Sequence, residues 1–132
     1  MVKNFKRKVL LVGHCGFDNQ KIQNMLENNF DVEVAKVQSF EDAKELLEKE
    51  NFHLALINRV ENFDGQSGLE LIKKLGDSGK INAQLMLITD YPDSMKEAVA
   101  CGAVKGFGKN AINDIATIEN LKSILTAPSA GG

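Results

Sequence analysis

Val9-Leu10-Leu11-Val12 followed by Gly13-His14-Cys15-Gly16 sets the reading of this chain. Four apolar residues in a row, with no polar alternation, mark a strand buried on both faces. The two glycines punctuate its end. From Asp18 to Asn29 the apolar residues Ile22, Met25 and Leu26 recur at helical spacing, with Gln20, Lys21, Asn24 and Glu27 opposite. That is an amphipathic helix. A strand–turn–helix unit is thus written into the first thirty or so residues, and the rest of the chain repeats it.

Val32, Val34 and Val37 predict a second strand. Ser39 with Asp42 three residues on reads as a helix start of capping-box type, and Ala43, Leu46 and Leu47 carry that helix to about Glu50. Leu54-Ala55-Leu56-Ile57 is a third strand ending at Asn58, with a helix over Ser67–Leu75 and a turn at Gly76-Asp77-Ser78-Gly79. Leu85-Met86-Leu87-Ile88 is a fourth, ending at Thr89-Asp90, with a helix over Ser94–Cys101 stopped by Gly102. Val104–Phe107 predicts a weaker fifth strand. Asn113–Ala127 closes with a helix whose apolar face is Ile115, Ile118, Leu121, Ile124 and Leu125.

Alternation of this kind predicts an α/β domain: a doubly wound parallel sheet of five strands, flavodoxin-like, in the order 2-1-3-4-5. The functional crevice of such sheets lies beyond the strand carboxyl ends. Here those ends are Gly13-His14-Cys15, Asn58-Arg59, Thr89-Asp90 and Gly108-Lys109. One domain over residues 1–126 accounts for the 132-residue length, and residues 127–132, small side chains throughout, read as a linker or tail.

Composition removes several classes. Sixteen Lys and Arg against eighteen Asp and Glu leave a charge of −2, without the basic excess of a general nucleic-acid binder. No apolar run reaches membrane-spanning length, and Val9–Val12 is too short for the core of a signal peptide. Two cysteines, Cys15 and Cys101, cannot staple a disulfide scaffold and read as reduced, packed thiols of a cytoplasmic protein. No His/Cys spacing matches a zinc site. His14 reads as a polar loop residue. A flavin-binding flavodoxin would need a Ser/Thr-rich turn after the first strand, where this chain has His14-Cys15-Gly16-Phe17.

Taken in order, Lys8–Val12, Phe52–Asn58, Gly68-Leu69-Glu70-Leu71-Ile72, Met86-Leu87-Ile88-Thr89, Gly102-Ala103 and Phe107-Gly108-Lys109 resemble the CheY-like receiver domain of two-component response regulators, over roughly Lys8 to Leu125. The resemblance implies a pocket that transfers a phosphoryl group onto an aspartate. It would use two acids after the first strand for Mg²⁺, an acceptor Asp ending the third, a hydroxyl after the fourth and a Lys after the fifth. Hard Mg²⁺ takes carboxylate oxygens. The acceptor carboxylate is the nucleophile, and Lys and hydroxyl balance charge on the phosphoryl oxygens.

Thr89 and Lys109 match the last two positions. Gly13 and His14 stand where the metal-binding acids belong, and Asn58 stands at the acceptor position. An amide has no anionic oxygen to act as the nucleophile. The resemblance therefore implies an atypical or pseudo-receiver with no catalytic residues, no metal and no cofactor, in a bacterial signalling protein. It is expected to work by protein contact, independently of phosphorylation, and to regulate or localise an effector domain of the same chain. The partner is a protein, that effector or a second copy of the chain, and neither a nucleic acid nor a membrane. Two rival readings keep chemistry in the pocket: a relocated acceptor at Asp64 or Asp90, or a small-anion sensor at Lys109 and Thr89.

Five further expectations follow. Asn58 is expected to hydrogen-bond Lys109, and Lys109 is expected to pair with Asp90 or an anion. Gly106 stands where receivers usually carry a switching aromatic, with Phe107 on the opposite face by strand alternation. By family analogy the partner face is Lys96, Lys105, Phe107, Glu119 and Lys122, with Glu97 and Asn113 among its polar residues. Asn110 replaces the usual proline after the lysine, so the peptide there is expected to be trans.

Overall fold

The computed structural model describes residues 6–60 and 65–125. Asp64 and the expected tail at 127–132 lie outside them. The order is β1 (Arg7–Val12), α1 (Gly16–Asn29), β2 (Val32–Val37), α2 (Phe40–Lys49), β3 (Leu54–Asn58), α3 (Gly68–Ser78), β4 (Gln84–Ile88), α4 (Pro92–Ala100), a 3₁₀ turn (Lys109–Ala111) and α5 (Ile115–Leu125). All strand pairs are parallel, in the order β2-β1-β3-β4.

Strand alternation divides the core into two layers. Leu10, Val12, Ala55, Ile57, Leu85 and Leu87 pack with Phe40, Leu47, Leu71, Ile72, Leu75 and Ala98, on the side of α2, α3 and α4. Val9, Leu11, Leu54, Leu56, Met86 and Ile88 pack with Ile22, Met25, Leu26, Leu121 and Leu125, on the side of α1 and α5. Each apolar run reads as continuous because both faces of the sheet are covered.

The helix starts follow cap chemistry. Ser39 Oγ accepts the Asp42 N–H at 3.0 Å and Ser67 Oγ accepts the Glu70 N–H at 3.3 Å. Cys15, expected to pack as a small hydrophobe, instead caps α1, its Sγ accepting the Asp18 N–H at 3.4 Å. Pro92 occupies the first turn of α4, where its missing N–H costs nothing. The expected turn at Gly76–Gly79 is a correction: α3 continues through Ser78 and stops at Gly79, which takes the left-handed φ of +66° that a glycine cap accepts. Ile115, expected on the inward face of α5, is 79% exposed. The inward face of α5 begins instead at Thr117, whose hydroxyl donates to the Ala111 carbonyl at 2.7 Å.

The fifth strand is the main correction. Among the described residues the sheet has four strands, and residues 104–107 run beside β4 with a single bridge, Met86 to Val104. Val104 N–H donates to Leu85 O at 2.8 Å. In that register the next parallel bonds would be Gly106 N–H to Leu87 O and Thr89 N–H to Gly106 O. Thr89 N–H instead reaches Phe107 O at 3.1 Å, one residue further on. The slip is a bulge, and it removes the regular ladder. Gly106 permits it, because a Cβ there would stand 2.3 Å from Leu87 O.

Candidate functional site

The strand carboxyl ends converge on a cavity of about 200 Å³ lined by Asn58, Arg59, Val60, Ile88, Thr89, Asp90, Tyr91 and Lys109. A larger cavity, about 550 Å³, lies between α2 and α3 over Phe40 and Leu71. It contains none of the candidate site residues Gly13, His14, Asn58, Thr89 and Lys109, and its Glu41, Lys44, Glu70 and Lys74 are exposed helix-flank charges. The smaller cavity is the candidate site because it lies at the carboxyl ends of β3 and β4, the edge where a parallel α/β sheet binds its ligands.

β1 exits through Gly13, at φ +76°, whose N–H donates to Val37 O at 2.9 Å. That turn carries His14 into the protein. The ring is fully buried, not the polar loop residue expected, and Nε2 lies 2.9 Å from Leu56 O. A carbonyl can only accept, so Nε2 carries the proton and Nδ1 is bare, without a hydrogen-bond partner among the described residues. Burial is the main cause that pushes the ring down to about 4. The Leu56 carbonyl opposes it, Lys109 adds to it and Asp18 opposes it. His14 is neutral at neutral pH.

Asn58 ends β3 and is 7% exposed. Its Nδ2 donates to Gly13 O at 3.0 Å and to Val60 O at 2.6 Å. The expected bond to Lys109 is a correction: that ammonium, a donor only, is held by Asp18, and the Asn58 amide hydrogens go to two carbonyls, one on the neighbouring β1 turn. Lys109 is corrected too. Its Nζ lies 2.8 Å from Asp18 Oδ2, while Asp90 Oδ1 accepts the Asn110 N–H at 3.2 Å. Thr89 is buried, and its Oγ1 accepts the Tyr91 N–H at 3.1 Å. No cis peptide bond occurs among the described residues, and Lys109–Asn110 is trans.

Asp18 is the site residue that sequence reasoning missed. It was read only as the opening of a helix, yet the first turn of α1 lies at the same sheet edge as Lys109. Burial would raise its carboxyl. The hydrogen bonds and charge of Lys109, with Cys15 and His14, outweigh that and hold it below the usual carboxylate range. A lowered carboxyl stabilises above about 3.8, and that stability is lost as pH falls further. Asp18→Asn is expected to lower the unfolding free energy by about 1 kcal/mol, a modest figure because Lys109 stays partly solvated. Urea denaturation at neutral pH measures it, and an unchanged midpoint would show that the pair contributes nothing.

A pocket for Mg²⁺ and a phosphoryl group needs clustered carboxylates. Gly13, His14 and Asn58 supply none, Asp18 is bound to Lys109, and no group of three His, Cys, Asp or Glu among the described residues could hold a metal ion. The residues present do not fit that ion. Around the rim, Arg59 stacks over the Tyr91 ring at 4.6 Å, and Phe17 is 72% exposed.

On the expected partner face Lys96, Lys105, Glu119 and Lys122 are exposed. Phe107 is not. It is 5% exposed and packs with Ile88, Ile112 and Leu121. It does point away from α4, as strand alternation predicts, but into the second core layer. Asn120 Nδ2 donates to Lys105 O at 2.7 Å and ties α5 to the bulged segment. Among the described residues no helix is long and apolar enough to cross a membrane.

No protein-family model matches the chain, and no curated protein sequence does. Solved structures do. The signal receiver domain of an HD domain-containing protein from Pseudomonas fluorescens Pf-5 superposes with a TM-score of 0.77 at 17% identity, over 96% of this chain and 91% of that one. A response regulator from Thermotoga maritima gives 0.72 at 20% identity, over 93% and 100%. The receiver domain of a Saccharomyces cerevisiae response regulator, crystallised with a histidine phosphotransfer signalling protein, gives 0.75 at 15%, over 92% and 90%. The fold is the CheY-like receiver fold.

Proposed function

We propose that this chain, folded as a receiver domain, is a pseudo-receiver of two-component type. It is not an enzyme, and it signals by protein contact without being phosphorylated. The observation that carries this reading is Asn58. At the position where the fold presents a phosphoacceptor stands an amide whose hydrogens are spent on Gly13 O and Val60 O. The neutral, buried His14 and the Asp18–Lys109 pair support it, because the first supplies no carboxylate oxygen for Mg²⁺ and the second neutralises the cation that would otherwise meet phosphoryl oxygens. Asp90 as a substitute acceptor is disfavoured by its bond to the Asn110 amide. An anion site at Lys109 and Thr89 is disfavoured by the partners both already have.

A domain without chemistry acts through its surface. The polar face of α4 and α5, with Lys96, Lys105, Glu119 and Lys122, is the face we assign to a protein partner or to an effector in the same chain of a cytoplasmic, bacterial protein. The yeast receiver crystallised with a phosphotransfer protein is a precedent for a protein partner on this fold.

Incubation with Mg²⁺ and a small acyl-phosphate donor, followed by intact mass, tests the proposal. The expected spectrum is unmodified protein. A stoichiometric phosphoryl adduct overturns it, and loss of that adduct in Asp64→Asn or Asp90→Asn would identify a relocated acceptor.

A further inference from the structure

The bulge beside β4 leaves one N–H to be accounted for. Gly106 N–H, which a regular fifth strand would give to Leu87 O, points instead to Met95 Sδ on α4, at 3.2 Å. A thioether is a weak acceptor, and here it takes the place of a ladder carbonyl. Met95 is partly exposed, whereas Met25 and Met86 are buried in the core. The contact joins α4 to the segment that Asn120 ties to α5.

We infer that Met95 is a modification site, a peroxide-sensitive latch between α4 and residues 104–107. In the reaction, the sulfur lone pair attacks one oxygen of a hydroperoxide. The O–O bond breaks, an S–O bond forms, and the second oxygen leaves as water or alcohol. Sulfur is oxidised to the sulfoxide and the peroxide is reduced. Sulfur has two lone pairs, one facing the Gly106 N–H, and the peroxide takes the other. The electron-poor sulfur that results is a weaker acceptor for that N–H, and the side chain gains a polar oxygen that must find water. Leu87 O lies close on the other side of Gly106, where a Cβ would stand 2.3 Å from it. Oxidation therefore loosens α4 from the bulged segment, and a sulfoxide reductase reverses it. The latch stands whether or not a partner docks on that face.

The test is a hydrogen peroxide titration of the folded chain, read by peptide mass and by amide hydrogen exchange. Met95 is expected to gain one oxygen well before Met25 or Met86. Gly106 exchange is expected to quicken about fivefold in the oxidised protein, as for a lost local hydrogen bond, with core amides of β3 unchanged. Met95→Leu, of similar volume, is expected to show the faster Gly106 exchange without peroxide and no further response to it. Oxidation of Met95 no faster than of Met25 overturns the proposal. So does an oxidised protein with unchanged Gly106 exchange, or a Leu variant whose Gly106 still responds. The wild-type series decides the matter by itself if the variant fails to fold.

Discussion

Asn58→Asp is expected to lower the unfolding free energy by about 3 kcal/mol at pH 7 and to yield no phosphoprotein. The variant restores the residue type that phosphoryl transfer needs, so the intuitive outcome is a gain of activity. The surroundings decide otherwise. The amide nitrogen sits 3.0 Å from Gly13 O and 2.6 Å from Val60 O. An ionised carboxylate there accepts only, and it would face two carbonyl oxygens across a nearly dry site. Two hydrogen bonds are lost and a charge is buried without a partner, a combination that costs about 3 kcal/mol or more. Lys109 cannot relieve it while it is held by Asp18.

The penalty has a pH signature. A carboxyl among oxygen acceptors has its pKa raised, so its protonated form regains one donor and the deficit shrinks at acid pH. Chemical denaturation of wild type and variant at pH 7 and near pH 4 measures both features. Intact mass after incubation with Mg²⁺ and an acyl phosphate measures the third. A variant as stable as wild type that accepts a phosphoryl group would show that the pocket is only one residue from competence.

The second large effect is a loss of stability between about pH 6.5 and pH 4, set by His14. Its folded value of about 4 lies below the ordinary 6.5. The unfolded chain therefore binds a proton in that interval and the folded chain does not. The contribution of the neutral ring is complete above 6.5 and lost as pH falls toward 4, by about 3 kcal/mol in total. The groups facing the ring are Lys109, which favours the neutral form, and Asp18, which opposes it. Asp18 titrates below this window. His53 is also lowered, by burial and by Arg7 and Lys8, but it is exposed and adds little. His14→Gln keeps a donor for Leu56 O and removes the titration, so its stability should be nearly flat from pH 6.5 to 4. A wild-type profile equally flat would mean that the ring reaches solvent.

Much of this protein is legible in one dimension. Val9–Val12, Leu54–Ile57 and Leu85–Ile88 announce buried strands because a strand covered on both faces has no polar alternation to keep. Ser39 and Ser67 announce helix starts because a cap is a contact between residues three apart. The absence of carboxylates at Gly13, His14 and Asn58 is equally plain, since it needs only identity and order. Less local features misled the reading. Gly76-Asp77-Ser78-Gly79 has the composition of a turn, but Leu75 and the next helix hold three of those four residues in α3. Val104–Phe107 has the apolar character of a strand, but Gly106 lets the backbone slip by one residue against Leu87.

The sequence by itself determined the alternating fold, the strand ends that line the pocket and the absence of carboxylates at Gly13, His14 and Asn58, because these depend on residue type and on spacing along the chain. Tertiary structure decided which groups meet: Lys109 with Asp18, Asn58 with Gly13 and Val60, His14 with Leu56, and Gly106 with Met95. Those pairs span 91, 45 and 2, 42, and 11 residues. Each was open to competing partners of the same chemistry. Lys109 had Asp90 as well as Asp18, and only the packing of α1 against the sheet edge brought one carboxylate within reach and left the other on a backbone amide.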